Sequence, residues 1–236
     1  MRTHLALPTD PAESFVREVD ENLRRDRAQE FLKKHGPWIA GVILLFLAAV
    51  AGWLYWQDRQ AKQAEVETER LNAAMSQLGS GQVAGAEAQI EALAKSDADG
   101  VRAAARLTRA AIALDKGNRK AAIDEYRAVM DDEGLADPYR DLATIRLTAL
   151  EFDQMKPADV IARLDDLAKP GNPWFGSAGE LSAMALLKLG RRDEAGRMFA
   201  AMAADANVPN TIRSRAVQIA GTLGVDASAS LPAAAR

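Results

Sequence analysis

The stretch from Trp38 to Trp56, WIAGVILLFLAAVAGWLYW, constrains this chain more than any other. Residues 35 through 57, between Lys34 and Asp58, carry no formal charge. At about 1.5 Å per helical residue they reach ~34 Å, enough to cross a ~30 Å hydrocarbon core with a little tilt. A helix buried in a soluble core is the alternative, but such a helix rarely stays apolar on every face over this length. The reading is therefore a single N-terminal transmembrane helix at 37–57. Trp38 at one end and Trp53, Tyr55 and Trp56 at the other are its expected interface anchors, because amphipathic rings favour the headgroup level.

Orientation follows from the flanking cations. Arg24, Arg25, Arg27, Lys33 and Lys34 precede the span closely, while Arg59, Lys62 and Arg70 follow it. The excess on the short N-terminal side places that side in the cytoplasm. A cleaved signal peptide competes, since Ala49-Val50-Ala51 resembles a small-residue cleavage site, but the preceding segment and the apolar run are both long for one.

Composition removes several classes of function. A net charge of -3 without a basic patch argues against nucleic-acid binding. Zero cysteines exclude disulfides, thiolate metal sites and cysteine nucleophiles. The two histidines, His4 and His35, both precede the span, so histidine chemistry beyond it is excluded.

Residues 1–12, with two prolines and no periodicity, read as a disordered tail. From 13 to 36, Phe15, Val16, Val19, Leu23, Phe31 and Leu32 mark an amphipathic cytoplasmic helix, suited to the inner membrane surface or to a partner. Gly36-Pro37 is expected to break it, with Pro37 opening the spanning helix. From Gln57 to Leu78 there is neither proline nor glycine, so the span continues as a stalk into the first helix of the distal domain. Its stripe of Leu71, Ala74, Met75 and Leu78 suits pairing between copies or packing within the chain.

Beyond Gly79 the pattern repeats. Gly81, Gly117, Met155 and Gly190 recur at intervals close to the ~34-residue period of helix-turn-helix repeats. After each come a small residue (Ala86, Ala122, Val160, Ala195), then a large one (Ile90, Tyr126, Leu164, Phe199), then another apolar one (Leu93, Val129, Leu167, Met202). Their i, i+4, i+7 spacing sets all three on one helix face. Asp137-Pro138 and Asn172-Pro173 each offer a capping side chain followed by a first-turn proline. Asn210-Thr211 opens a polar last helix to about Leu223, and 225–236 reads as a disordered tail. The expected fold is all-α: the transmembrane helix, then a right-curving α-solenoid of about four helix pairs and a capping helix at 58–224.

Arg102, Arg106 and Arg109 share one face of the helix from about Gly100 to Lys116. There they could clamp an acidic partner, or lie on an ordinary solvated face. Asp131, Asp132 and Glu133 read as a solvated helix end. Trp174 and Phe175 are either an exposed aromatic anchor for a client or a packed helix start. GSGQVAG at 79–85 lacks the strand and the Gly-Lys-Ser/Thr ending of a phosphate cradle, and adjacent acids such as Asp165-Asp166 diverge on a helix. No catalytic, metal-binding or cofactor-binding residue is assigned.

LDKGNRKAAIDEYRAV at 114–129 and LLKLGRRDEAGRMFAAM at 186–202 resemble the second half of a tetratricopeptide repeat. With FVREVDENLRRDR ahead of one span, the whole is similar to the membrane-anchored tetratricopeptide-like family of ancillary Sec translocon subunits of Gram-negative bacteria. Met155-Lys156-Pro157 departs from the usual turn glycine, and the first helices lack the usual large aromatic. The resemblance implies an inner-membrane protein whose periplasmic repeats contact the translocon, periplasmic chaperones and exported clients, without catalysis. A dedicated assembly factor for one envelope complex, for cell division or cytochrome maturation, would share these features.

Overall fold

The computed structural model describes the backbone of residues 11–230 and the side chains of residues 33–230. Among the described residues there are helices and no strand: α1 (Pro11–Gly79), α2 (Val83–Leu93), α3 (Asp99–Asp115), α4 (Arg119–Met130), α5 (Asp137–Glu151), α6 (Pro157–Leu164), α7 (Phe175–Lys188), α8 (Arg192–Ala204), α9 (Asn210–Thr222), and a 3-10 turn at Ser228–Ser230. The chain divides into two compact units at Lys62 and Gln63.

In the first unit the expected break at Gly36-Pro37 is absent, because α1 carries Pro37 inside it. A proline removes one N–H and crowds the carbonyl four residues back, yet the helix continues through it. Helix begins at Pro11, so the N-terminal tail expected at 1–12 lies mostly outside the described residues, as do the side chains of the expected amphipathic face before Lys33. From Trp38 to Trp56 no side chain is buried.

In the second unit, Gln63 onwards, four helix pairs and a cap form as the repeats predict: the end of α1 with α2, α3 with α4, α5 with α6, α7 with α8, then α9. Their core is one chain of clusters, each shared by three successive helices. Leu71 and Ala74 meet Ile90 and Ala105; Ala110 meets Tyr126 and Leu147; Ile145 meets Leu164 and Ala185; Phe175 meets Phe199 and Ala220. All twelve seam positions read from the repeat are buried, the most exposed being Leu167 at 8%. The alanines explain how the helices approach: Ala74, Ala86, Ala103, Ala110, Ala122, Ala143, Ala183 and Ala195 are all 0% exposed.

The turns follow from one backbone requirement. Gly81, Gly117 and Gly190 have φ of 82°, 74° and 76°, the left-handed region in which a Cβ is penalised. Each ends its helix in a Schellman arrangement: Gly117 N–H donates to Leu114 O (2.9 Å) and Asn118 N–H to Ala113 O (2.7 Å), with the same pattern after α1 and α7. Gly224 (86°) repeats it after α9. The turn at Met155 takes another route. Its connector from Phe152 to Lys156 is longer, both Gln154 and Met155 N–H groups donate to Glu151 O, and Met155 packs on the core.

Two expectations change. Asn172 and Asp137 do not cap through the helix's own first turn: the Asn172 carbonyl oxygen accepts from Trp174 N–H (2.8 Å), one residue before α7, and the Asp137 carboxylate faces Arg140 at 3.5 Å. The tail expected to be disordered from 225 is held as far as Ser230. Val225 and Ala227 join the last core cluster, and the Arg213 guanidinium donates to Ser230 O at 3.2 Å. Gly196 makes this possible, since a Cβ there would lie 2.8 Å from the Val225 side chain.

Candidate protein-interaction surface

The three arginines expected on a client-facing stripe are half-buried and turned toward their own domain. Arg102 binds Ser96 O (3.0 Å) and Asp99 (2.7 Å) and reaches Asp132 at 3.5 Å. Arg106 Nε donates to Ala94 O (3.4 Å), and Arg109 pairs with Glu125 at 3.1 Å. The same device recurs: Arg140 Nε reaches Met130 O and Arg213 Nε reaches Ala203 O. In each case an arginine near the start of one pair satisfies a carbonyl at the C-terminal end of the preceding helix, where the dipole favours a cation. Before α7 no arginine stands, and Asn172 Nδ2 donates to Asp166 O instead (3.1 Å). Arg102, Arg106, Arg140 and Arg213 thus seat one pair upon the next, whereas Arg109 ties α3 to α4 within a single pair.

Phe175 is 1% exposed in the last core cluster, so it is a core residue rather than the exposed anchor considered above. Trp174 is half-buried against the α5–α6–α7 cluster, and its indole binds the Asp141 carboxylate. Burial, reinforced by Asp137, holds the Asp141 carboxyl above its ordinary value, while the indole bond and Arg140 pull it down. Asp205 goes the other way. It accepts from Gly171 N–H (2.7 Å) and Asn207 N–H (2.8 Å), and those two backbone bonds lower its pKa, tying the loop before α7 to the loop after α8.

What the side chains leave free forms a row. Asn72, Thr108, Arg146, Leu181 and Arg215 stand at one fixed distance before the five turn residues Gly81, Gly117, Met155, Gly190 and Gly224; Met75, Ala111, Ala149, Met184 and Gln218 stand at another. None of the ten is buried, and the second set is exposed throughout, with Met75 at 50% and Met184 at 37%. The helices that carry them are neighbours, since α5 touches both α3 and α7. Ion pairs link equivalent edges: Lys188 to Asp153 at 2.8 Å and Arg215 to Glu180 at 2.6 Å. The result is a strip of small and thioether side chains bordered by charge across successive first helices. Methionine and alanine give such a strip an apolar surface that adapts to different partners. The signal was present in the spacing from the turn residues, which the sequence reading used only for buried positions.

A separate cleft of about 240 Å³ opens between α2 and α4 beside α3. Glu87 and Glu91 of α2 form one wall, Asn118, Ala121 and Glu125 the other, and Arg109, Ile112, Ala113 and Lys116 of α3 the floor. Lys116 Nζ lies 2.6 and 2.7 Å from the two oxygens of Glu87.

The expected membrane anchors are all exposed: Trp38 at 76%, Trp53 at 59%, Tyr55 at 62% and Trp56 at 58%. Arg59 Nε donates to Tyr55 Oη at 3.2 Å, extending the polar edge of that end. Among the described residues, no group of histidine, cysteine, aspartate and glutamate is placed to hold a metal ion.

Residues 29–220 match the family described as tetratricopeptide repeat-like domain. No curated protein and no solved structure matches the chain. Four helix pairs, three of them turning at a left-handed glycine, together with the family match over residues 29–220, place the chain in the tetratricopeptide repeat-like domain family, a protein-interaction scaffold.

Proposed function

We propose that this protein is a single-pass scaffold of the bacterial inner membrane. Its N-terminus is cytoplasmic, and its repeats stand in the periplasm, where they bind translocon subunits, periplasmic chaperones and newly exported chains. The reading includes no catalysis and no cofactor. One observation supports it: the row through Met75, Ala111, Ala149 and Met184 stays exposed at the same place in each successive first helix, while the twelve seam positions of the repeats are buried. An adaptable, weakly apolar strip suits many partial sequences better than one fixed partner. Tethering supplies what intrinsic affinity lacks, because a client emerging beside the anchor meets the strip at a high effective concentration.

The test is photocrosslinking in intact cells with a photoreactive phenylalanine analogue in place of Ala149 or Met184, followed by identification of the captured proteins. Recovery of translocon subunits together with diverse exported chains is the expected result. A single recurrent partner outside that pathway would contradict it and assign the chain to the assembly of one envelope complex.

A further inference from the structure

We infer that the cleft between α2 and α4 is a second recognition site, which takes a single lysine or arginine side chain from a partner protein. Its lining shares no residue with the exposed strip.

Size comes first. A cleft of about 240 Å³ is below the ~300–1,000 Å³ usual for small-molecule and cofactor sites, and suits one long side chain. The lining then selects the chemistry. Ile112 and Ala113 on the floor and Ala121 on a wall offer an apolar lining, which would accept a methylene stem. Both cations of the cleft are already matched: Lys116 sits against both oxygens of Glu87, and Arg109 against Glu125. An anionic ligand would have to break one of those pairs, each of which also ties α3 to a wall. Glu91 is different. It is exposed, it lines the cleft, and among the described residues its carboxylate has no ion pair or hydrogen-bond partner. The cleft therefore holds three carboxylates against two cations, and the uncompensated charge is negative at its mouth. A stem lying on the floor with its cationic head at Glu91 satisfies both features at once.

The experiment uses the full chain in lipid nanodiscs, with the isoleucine δ-methyl groups labelled and the Ile112 signal assigned through Ile112→Val. Blocked tripeptides with a central lysine, arginine, norleucine or glutamate are titrated in turn. The expected result is a saturating Ile112 shift with lysine and arginine, and at least tenfold weaker binding of norleucine and glutamate. Glu91→Gln, an exposed position that leaves the core untouched, should erase the preference for lysine over norleucine, and Glu91→Asp should keep part of it. Equal binding of norleucine, stronger binding of glutamate, no shift with any peptide, or an unchanged preference in Glu91→Gln would each overturn the proposal. None of these outcomes bears on crosslinking at Ala149 or Met184, so the two readings fail separately.

Discussion

Two regions of this protein are built largely from aliphatic residues and treat them in opposite ways. Between Trp38 and Trp56 the large side chains all face outward, with Leu45 at 74% and Phe46 at 65% exposure. From Gln63 onwards the core is made of alanines at 0% and a few large residues such as Phe199 at 1%. The repeat domain alternates small and large residues because water drives its helices together and close packing rewards a small residue at each crossing. The apolar run has no such alternation, and its even surface suits a hydrocarbon solvent that itself covers every face. What separates the regions is therefore pattern rather than apolar content.

That contrast can be broken from either side. Phe199→Ala should cost about 3–5 kcal/mol, since it empties a site shared by α7, α8 and α9. Thermal melting of the membrane-reconstituted chain would read the loss, while the fraction of chain inserted in the membrane should not change. Leu45→Arg should do the reverse. A cation near the centre of the run disfavours insertion by about 3–4 kcal/mol, so the chain should shift toward the carbonate-extractable fraction with its repeats still folded. A smaller effect sharpens the account of the turns. Gly117→Ala forces a Cβ into a left-handed position and should lower stability by about 1–2 kcal/mol, whereas Gln154→Ala, in the turn without such a residue, should stay within ~0.5 kcal/mol. The smallest effect is on pH. The Asp205 carboxylate is stabilised by two backbone N–H groups, so its folded pKa lies below the unfolded one. Its contribution is present above the ordinary carboxylate value of 3.8 and is lost as pH falls through the folded value. Acid titration of the melting temperature should therefore be steeper in the unaltered chain than in Asp205→Asn.

Much of this fold was readable because a repeat states each rule several times. Ala86, Ala122, Val160 and Ala195 agree on one seam position, and three turn glycines agree on one backbone conformation. The remainder depends on contacts remote in sequence. Nothing local to Val225 and Ala227 marks them as core; the room for Val225 is made by Gly196 on another helix. Arg102, Arg106 and Arg109 form a clean stripe, but their partners Ser96, Ala94 and Glu125 come from neighbouring elements, so spacing alone could not separate contacts within the domain from a client clamp. Pro37 misled for a related reason. Its cost to a helix is local, and one such cost does not end a helix 69 residues long.

The account rests on the two regions occupying different solvents, with the repeats beyond the membrane from the N-terminus. The chain has no cysteine, so single-cysteine variants report position without background. Ser14→Cys and Ala149→Cys would be exposed to a membrane-impermeant maleimide in cells whose outer membrane alone is opened. Labelling at 149 while the inner membrane is still closed, with labelling at 14 only after that membrane is disrupted, is the predicted result. Labelling at 14 while 149 stays protected, or equal labelling of both before disruption, would contradict it.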